Sequence, residues 1–462
     1  MQQGSGSDMH LDKQHLIHVL HQEIERSTGC TDPGAVCLAV SRAVKELGRA
    51  AERVTVTVSP NVYKNGISVG VPGTGKRGLP IAAALGAVLD KSQVGLAILD
   101  HVTEAKLMEA TRLLSAHAVQ VRYADTPDPL YIKAEVWAGQ DHALVIIEND
   151  YSNIVQVARN GRLLYASPDR KAEAVKDVLE GCTLGQLLDL IEEMTLHDLE
   201  FLLEAAEINR QAAETGLKSA GLRLGPALYS LQAGSPEPVR AMNKAQILTA
   251  AAGEARMAGL PVPIMAIVGS GNHGIANFLG ILAVAEVLES SREKLAKALA
   301  ISSTVTVYIK SFVKRMTAFC GCSVAAATGV ASGTVYLLGG SRDDAIHAMQ
   351  SVIGTLAGML CDGAKESCAY KLSASTATAI QFAYLAMQGA YVPAGMGVVG
   401  NTIEGTIENL GRLNNPGMVE TDRLVLELIE QAQTDRAPRT SSDQDLPEPG
   451  VKRSSECQPG TM

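Results

Sequence analysis

Residues 130–166, LYIKAEVWAGQDHALVIIENDYSNIVQVARNGRLLYA, decide the fold class. They hold four strand-like runs, at 130–137, 142–148, 153–158 and 162–165, separated by short polar turns. Asn160-Gly161, between the last two, is the dipeptide a two-residue hairpin favours. Upstream, Val54, Val56 and Val58 alternate with polar residues, the pattern of a half-buried strand. A further strand is expected at 67–71, and helices at 80–89 and 103–116. Residues 51–168 therefore predict an α+β domain with an antiparallel sheet. Downstream the period changes to that of helices, as in the apolar stripe Leu196, Leu199, Leu203 and Ala206. The expected organisation is an N-terminal helical segment (1–50) carrying Cys30, the α+β domain (51–168), a large, mostly α-helical domain (169–432) and a polar, disordered tail (433–462) containing Cys457. In the first segment helices are expected at 11–26 and 33–48, with Pro33 opening the second and Thr31 or Asp32 capping it.

Composition narrows the function. Apolar residues make up 46% of the 462, yet aromatics are only 4% and glycines number 43, which predicts helices packed closely through small residues. The net charge of −9 and the lack of a basic stripe argue against a nucleic-acid partner, because phosphate binding needs concentrated positive charge. The start, MQQGSGSDMHLDKQ, has neither the basic nor the apolar region of a signal peptide, so a cytoplasmic, reducing location is expected. There, eight cysteines point to metal binding or catalysis rather than to disulfides. Three stretches, 257–285, 316–341 and 372–403, contain no Asp, Glu, Lys or Arg, and they raise a membrane transporter as the different-class alternative. Their many Gly, Pro, Asn, Ser and Thr residues fit buried helices joined by glycine turns better, with no membrane partner.

Two motifs imitate nucleotide sites. GVPGTGK (70–76) matches G-x-x-x-x-G-K, and LAILD (96–100) resembles a Walker B strand. Arg77, however, stands where a P-loop has the hydroxyl that binds Mg²⁺. GSGNHG (269–274) is a literal G-x-G-x-x-G, but the segment after its helix, 292–300, is helical rather than a second strand. Its glycines before a helix still offer backbone N–H groups to an anion such as a carboxylate. Asn272 and His273 would then be side-chain partners of a small-molecule substrate, against a purely structural role for His273 in the loop.

The cysteines divide. Cys320 and Cys322 lie in AFCGCSVAAATG, Cys361 and Cys368 in MLCDGAKESCAYK. Zinc favours C-x2-C pairs, whereas thiolates gathered from two loops suit an iron–sulfur cluster as well. The alternative is that they are small buried hydrophobes. Cys30 precedes a helix start, where the positive end of the dipole stabilises a thiolate, so it is a candidate nucleophile or base, or else a buried capping-loop thiol. Cys37 and Cys182 read as structural.

Together, STGCTDPGA (27–35), KNGISVGVPGTG (64–75), GEARM (253–257), GSGNHGI (269–275), IKSFVKR (309–315), CGC (320–322), LLGGS (337–341) and CDGAKESCAYK (361–371) resemble the L-cysteine desulfidases, relatives of the alpha-chain domain of iron–sulfur L-serine dehydratases. The resemblance covers about 14–430. It implies a carbon–sulfur lyase that β-eliminates L-cysteine to pyruvate, ammonia and sulfide with a [4Fe–4S] cluster. It implies Cys30 as base and Cys361, Cys368 and Cys320 as cluster ligands, Cys322 remaining the alternative to Cys320. It implies substrate contacts from Asn272 and His273, with an open iron as Lewis acid. Lys365, between two ligands, would tune the cluster or be a solvated loop lysine. L-serine dehydration is the same-class alternative, and a homo-oligomer is the expected assembly.

Overall fold

The helix that follows residues 24–28 shows how local sequence sets the architecture. Cys30 caps the helix Thr31–Leu47 with extended backbone (φ −77°, ψ 137°), so the cap falls one residue before the expected Thr31 or Asp32. Pro33 lies in the first turn, where its missing N–H would have no helical partner anyway. In the computed structural model residues 12–434 are described, apart from 125, 127, 168–178, 180, 181, 219–223 and 231–235. Most of the expected disordered tail, with Cys457, lies outside the described residues.

The strands in chain order are β1 (Ile24–Thr28), β2 (Arg53–Val58), β3 (Gly70–Val71), β4 (Lys76–Arg77), β5 (Val119–Tyr123), β6 (Tyr131–Ala138), β7 (Asp141–Glu148), β8 (Ile154–Arg159), β9 (Arg162–Ala166) and β10 (Pro263–Ile267). Six form one sheet in the order β5-β2-β6-β7-β8-β9. β6 and β7 bury alternate residues, and Val54, Val56, Ile132, Val136 and Val145 pack with Val36 and Val40 of the helix Thr31–Leu47. Asn160 and Gly161 make the two-residue turn between β8 and β9.

Two features differ from the sequence reading. The sheet is mixed rather than antiparallel, because β5 pairs with β2 in parallel. Between them the chain passes through helices Pro60–Gly66, Leu79–Val88 and Glu104–Ser115, a crossover long enough to bring it back in the same direction. The N-terminal helix, Lys13–Glu23, also ends early: Ile24–Thr28 pairs antiparallel with β10. That pairing sets Thr28 beside Pro263 and Ile24 beside Ile267, and the chain after Thr28 folds back so that Thr31 meets Gly269 of the turn after β10.

Both nucleotide-like motifs resolve into other structures. Residues 70–77 form the β3–β4 hairpin, and residues 96–100 lie in the 3₁₀ segment Ser92–His101. Among the described residues the strand before GSGNHG pairs only with β1, antiparallel, and no parallel βαβ unit forms there.

Beyond the sheet the chain is largely helical. Glu237–Met257 packs along Cys368–Ala386, and Arg292–Val313 along Ala327–Leu338. One extended core, rich in Ala, Leu, Ile and Val, joins these helices to Lys13–Glu23. The uncharged stretches are broken up inside it. Residues 257–285 comprise a helix end, β10, a turn and new helices, and 372–403 leaves its helix at Ala386. Among the described residues no single helix is long and apolar enough to cross a membrane; Leu79–Val88 and Ser92–His101 would do so only as a pair bent by 116°. Nothing in the fold favours the transporter alternative.

Candidate functional site

The β1–β10 pairing positions the site. Thr31 Oγ1 donates to Gly269 O at 2.9 Å, joining the STGCTDP turn to the GSGNHG turn. Arg256, near the end of Glu237–Met257, completes the joint. Its Nε donates to Gly29 O at 3.1 Å, and its Nη1 to Asn272 Oδ1 at 3.0 Å. Ser270 caps the short helix Gly271–Gly274, which carries Asn272 and His273, both buried.

A separate joint orders the second set of cysteines. Phe319 and Leu360 form an isolated antiparallel bridge. It is flanked by Cys320 N–H to Met359 O at 2.6 Å and Cys361 N–H to Ala318 O at 2.8 Å. Cys320 and Cys361 each follow a bridge residue, so the period-two alternation puts them on one face. Cys368 opens the helix Cys368–Ala386, and its Sγ donates to Gly363 O at 3.5 Å.

Both joints face one cavity of about 110 Å³. Cys30, Asn272, His273, Cys320, Cys361 and Cys368 all line it, and Cys322 does too. Cys30 also shares a small apolar cluster with Val69, Met257 and Cys368. Cys37 and Cys182 lie elsewhere, in the helix Thr31–Leu47 and beside Tyr308. Lys365 turns back on its own loop, pairing with Asp362 at 2.7 Å and donating to its carbonyl at 3.0 Å. An adjoining cavity of about 240 Å³ shares Asn61, Lys64, Met316 and Thr317 with the first. At that boundary the buried Lys64 pairs with Asp422 of the helix Val419–Thr434.

The electrostatics of Cys30 differ from the sequence expectation. Burial, and then the neighbouring Asp32 carboxylate, push its thiol far up. The helix dipole is outweighed, and the thiol is protonated. Cys30 Sγ donates to Asp32 Oδ2 at 3.4 Å. Burial also raises Asp32, to about 7, against the hydrogen bond from Cys30 and the charge of Arg256. Tyr151 OH donates to both Asp32 oxygens, at 3.4 and 3.5 Å.

His273 is neutral, pushed down to about 3 by burial and then by Lys310. Its Nδ1 lies 3.1 Å from Ile267 O, and a carbonyl can only accept, so Nδ1 carries the proton and Nε2 is an acceptor. That Nε2 faces the CGC motif: a Cβ on Gly321 would sit 2.5 Å from it. Burial, then Arg315, lowers Lys310 to about 7, and its ammonium donates to Arg315 O at 2.9 Å. Cys320 and Cys322 hold their sulfurs 3.0 Å apart and share one hydrogen bond. Cys320 is accordingly lowered to about 6, chiefly by that hydrogen bond.

Among the described residues no three His, Cys, Asp or Glu side chains converge as a single ion requires. The donor set is four thiols from two loops around one cavity, which is the chemistry an iron–sulfur cluster takes.

The profile of the serine dehydratase alpha chain matches residues 71–427, which take in β5–β9 of the sheet and the helices that follow. The chain belongs to the serine dehydratase alpha chain family. Full-length relatives agree. A protein of Methanocella arvoryzae, named only as an UPF0597 protein, is 58% identical over 91% of this chain and 99% of its own. UPF0597 proteins of Clostridioides difficile and Caldanaerobacter subterraneus are 38% and 37% identical, over 89% and 90% of this chain and 98% and 97% of theirs.

Within this serine dehydratase-like fold, sequence reasoning missed several lining residues. Asp32 was read only as a helix cap, and Tyr151 carried no signal, since it follows β7 in an ordinary polar turn. Arg256, Lys310 and Arg315 stood inside quoted motifs, GEARM and IKSFVKR, without a role. Their place inside those motifs was the one signal; their burial is not readable from the sequence.

Proposed function

We propose that this chain is an iron–sulfur-dependent lyase that β-eliminates L-cysteine to pyruvate, ammonia and sulfide. The observation that carries the reading is one cavity lined by a carboxylate-paired thiol, Cys30, and by four further thiols. Cys320, Cys361 and Cys368 would hold the [4Fe–4S] cluster, with Cys322, whose sulfur lies 3.0 Å from that of Cys320, as the alternative to Cys320. When bound, the cluster supplies an open iron as a Lewis acid.

The chain's own residues do the rest. Asp32 accepts the Cys30 proton, and the thiolate so formed removes the α-proton of the substrate. Tyr151, donating to Asp32, keeps that carboxylate oriented. Asn272 and the acceptor Nε2 of neutral His273 contact the substrate's polar groups. Burial excludes water, so the proton stays between Cys30, Asp32 and substrate. The released aminoacrylate tautomerises and hydrolyses unaided.

The family's name supports L-serine as the second reading. The test is anaerobic assay of the purified chain with each amino acid, following pyruvate and sulfide. Pyruvate and sulfide from L-cysteine are expected. Faster pyruvate release from L-serine would select the dehydratase reading, and no pyruvate from either would end both.

A further inference from the structure

Arg256 is a buried cation that lacks a counterion of its own. It is 3% exposed. Among the described residues no carboxylate lies within ion-pair distance of it, whereas the nearby Arg315 has Glu23 at 3.0 Å and Asp150 at 2.8 Å. The two groups Arg256 does hold, Gly29 O and Asn272 Oδ1, are neutral acceptors. Asp32 is close enough to feel its charge but takes its hydrogen bonds from Cys30 and Tyr151. Leaving a desolvated guanidinium uncompensated is costly, so such a group in a cavity wall calls for an anion.

The shape of the site agrees. A Cβ on Gly271 would lie 2.3 Å from Arg256 Nε and 2.7 Å from Cζ. Only a glycine there lets the guanidinium rest against the GSGNHG turn. Nε and one Nη1 hydrogen are spent on the protein, leaving Nη2 and the other Nη1 hydrogen for a ligand in the cavity that Arg256 lines. A carboxylate matches this planar fork of donors.

We infer that Arg256 anchors the α-carboxylate of an amino-acid substrate, fixing it beside Cys30 and Asn272. The inference rests on the lyase reading only in naming an amino acid as the ligand. Specificity follows from it: amino acids bind, and amines that lack the carboxylate do not.

Calorimetric titration of the anaerobically purified full-length protein with L-alanine tests this without turnover, because L-alanine has no β leaving group. Saturable binding of L-alanine and none of ethylamine is expected. Arg256→Gln should abolish L-alanine binding. Arg256→Lys, which keeps the charge and loses the fork, should weaken it by about tenfold or more. Should the Gln variant fail to fold, the Lys variant and the wild-type ligand comparison still decide. Equal binding of ethylamine, no binding of L-alanine to wild type, or a Lys variant within about twofold of wild type would overturn the inference. Loss of lyase activity as a reading would leave these binding results standing, and active enzyme with unchanged binding in Arg256→Lys would sink the anchor alone.

Discussion

Cys30 and the four-thiol set of Cys320, Cys322, Cys361 and Cys368 line the same cavity, yet the chain treats the sulfurs of Cys30 and Cys320 in opposite ways. Cys30 is single, sits at a helix cap and gives its hydrogen bond to Asp32, so it keeps its proton. Cys320 shares a hydrogen bond with Cys322 and is lowered. The difference comes from neighbours, since burial penalises both thiolates. It teaches that the helix start alone does not make a thiolate; the partner does. On the proposed reading one set handles protons and the other holds a cluster, and point substitutions probe that division.

The largest effect is expected from Cys361→Ala or Cys368→Ala. Each should abolish both turnover and the cluster's absorbance near about 400 nm, read on anaerobically purified protein. Retained absorbance in both variants would remove these residues from the ligand set.

Asp32→Asn strikes the other set. Turnover should fall by about 10²-fold or more with absorbance retained. The pH profile should show the group directly. Wild-type kcat/KM should fall as pH drops through about 7, because the protonated carboxyl can no longer accept from Cys30. Stability runs the other way. Between the ordinary carboxyl range and about 7 the native state binds the extra proton, so Asp32 costs increasing stability as pH rises through that window. The Asn variant should therefore melt above wild type at about pH 8, with the gap closing toward about pH 4. A gap that widens on acidification would contradict the assignment.

Gly321→Ala tests whether the two sets are fitted to each other through His273. The added Cβ meets Nε2 at 2.5 Å, so the imidazole or the CGC loop must shift. A loss of about 1–3 kcal/mol in stability and about tenfold in kcat/KM is expected, by denaturant titration and assay. The smallest effect belongs to Cys37→Ala, outside the cavity, where packing alone is lost: about 1 kcal/mol, with absorbance and kcat unchanged.

Much of this was legible in the chain itself. The alternation in 130–166 gave the sheet strands and the 160–161 turn, because each strand needed only its own period. The parallel β2–β5 pair was not legible, since it depends on where three helices return the chain. The β1–β10 pair was hidden for the same reason: Ile24–Thr28 is a strand only because Pro263–Ile267 lies beside it. At the site, distinctive chemistry and spacing single out the cysteines and the GSGNHG turn that line the cavity. Asp32 and Arg256 are not singled out, because a charge becomes informative only once its burial and its missing or shared partner are known.

Cys30→Ser tests the central division most directly. The anaerobically purified variant would be compared with wild type for absorbance near about 400 nm and for sulfide and pyruvate release from L-cysteine. The account predicts wild-type absorbance with turnover reduced by about 10³-fold or more. Loss of the absorbance together with turnover would make Cys30 a cluster ligand, and full turnover would remove it from proton transfer; either contradicts the account.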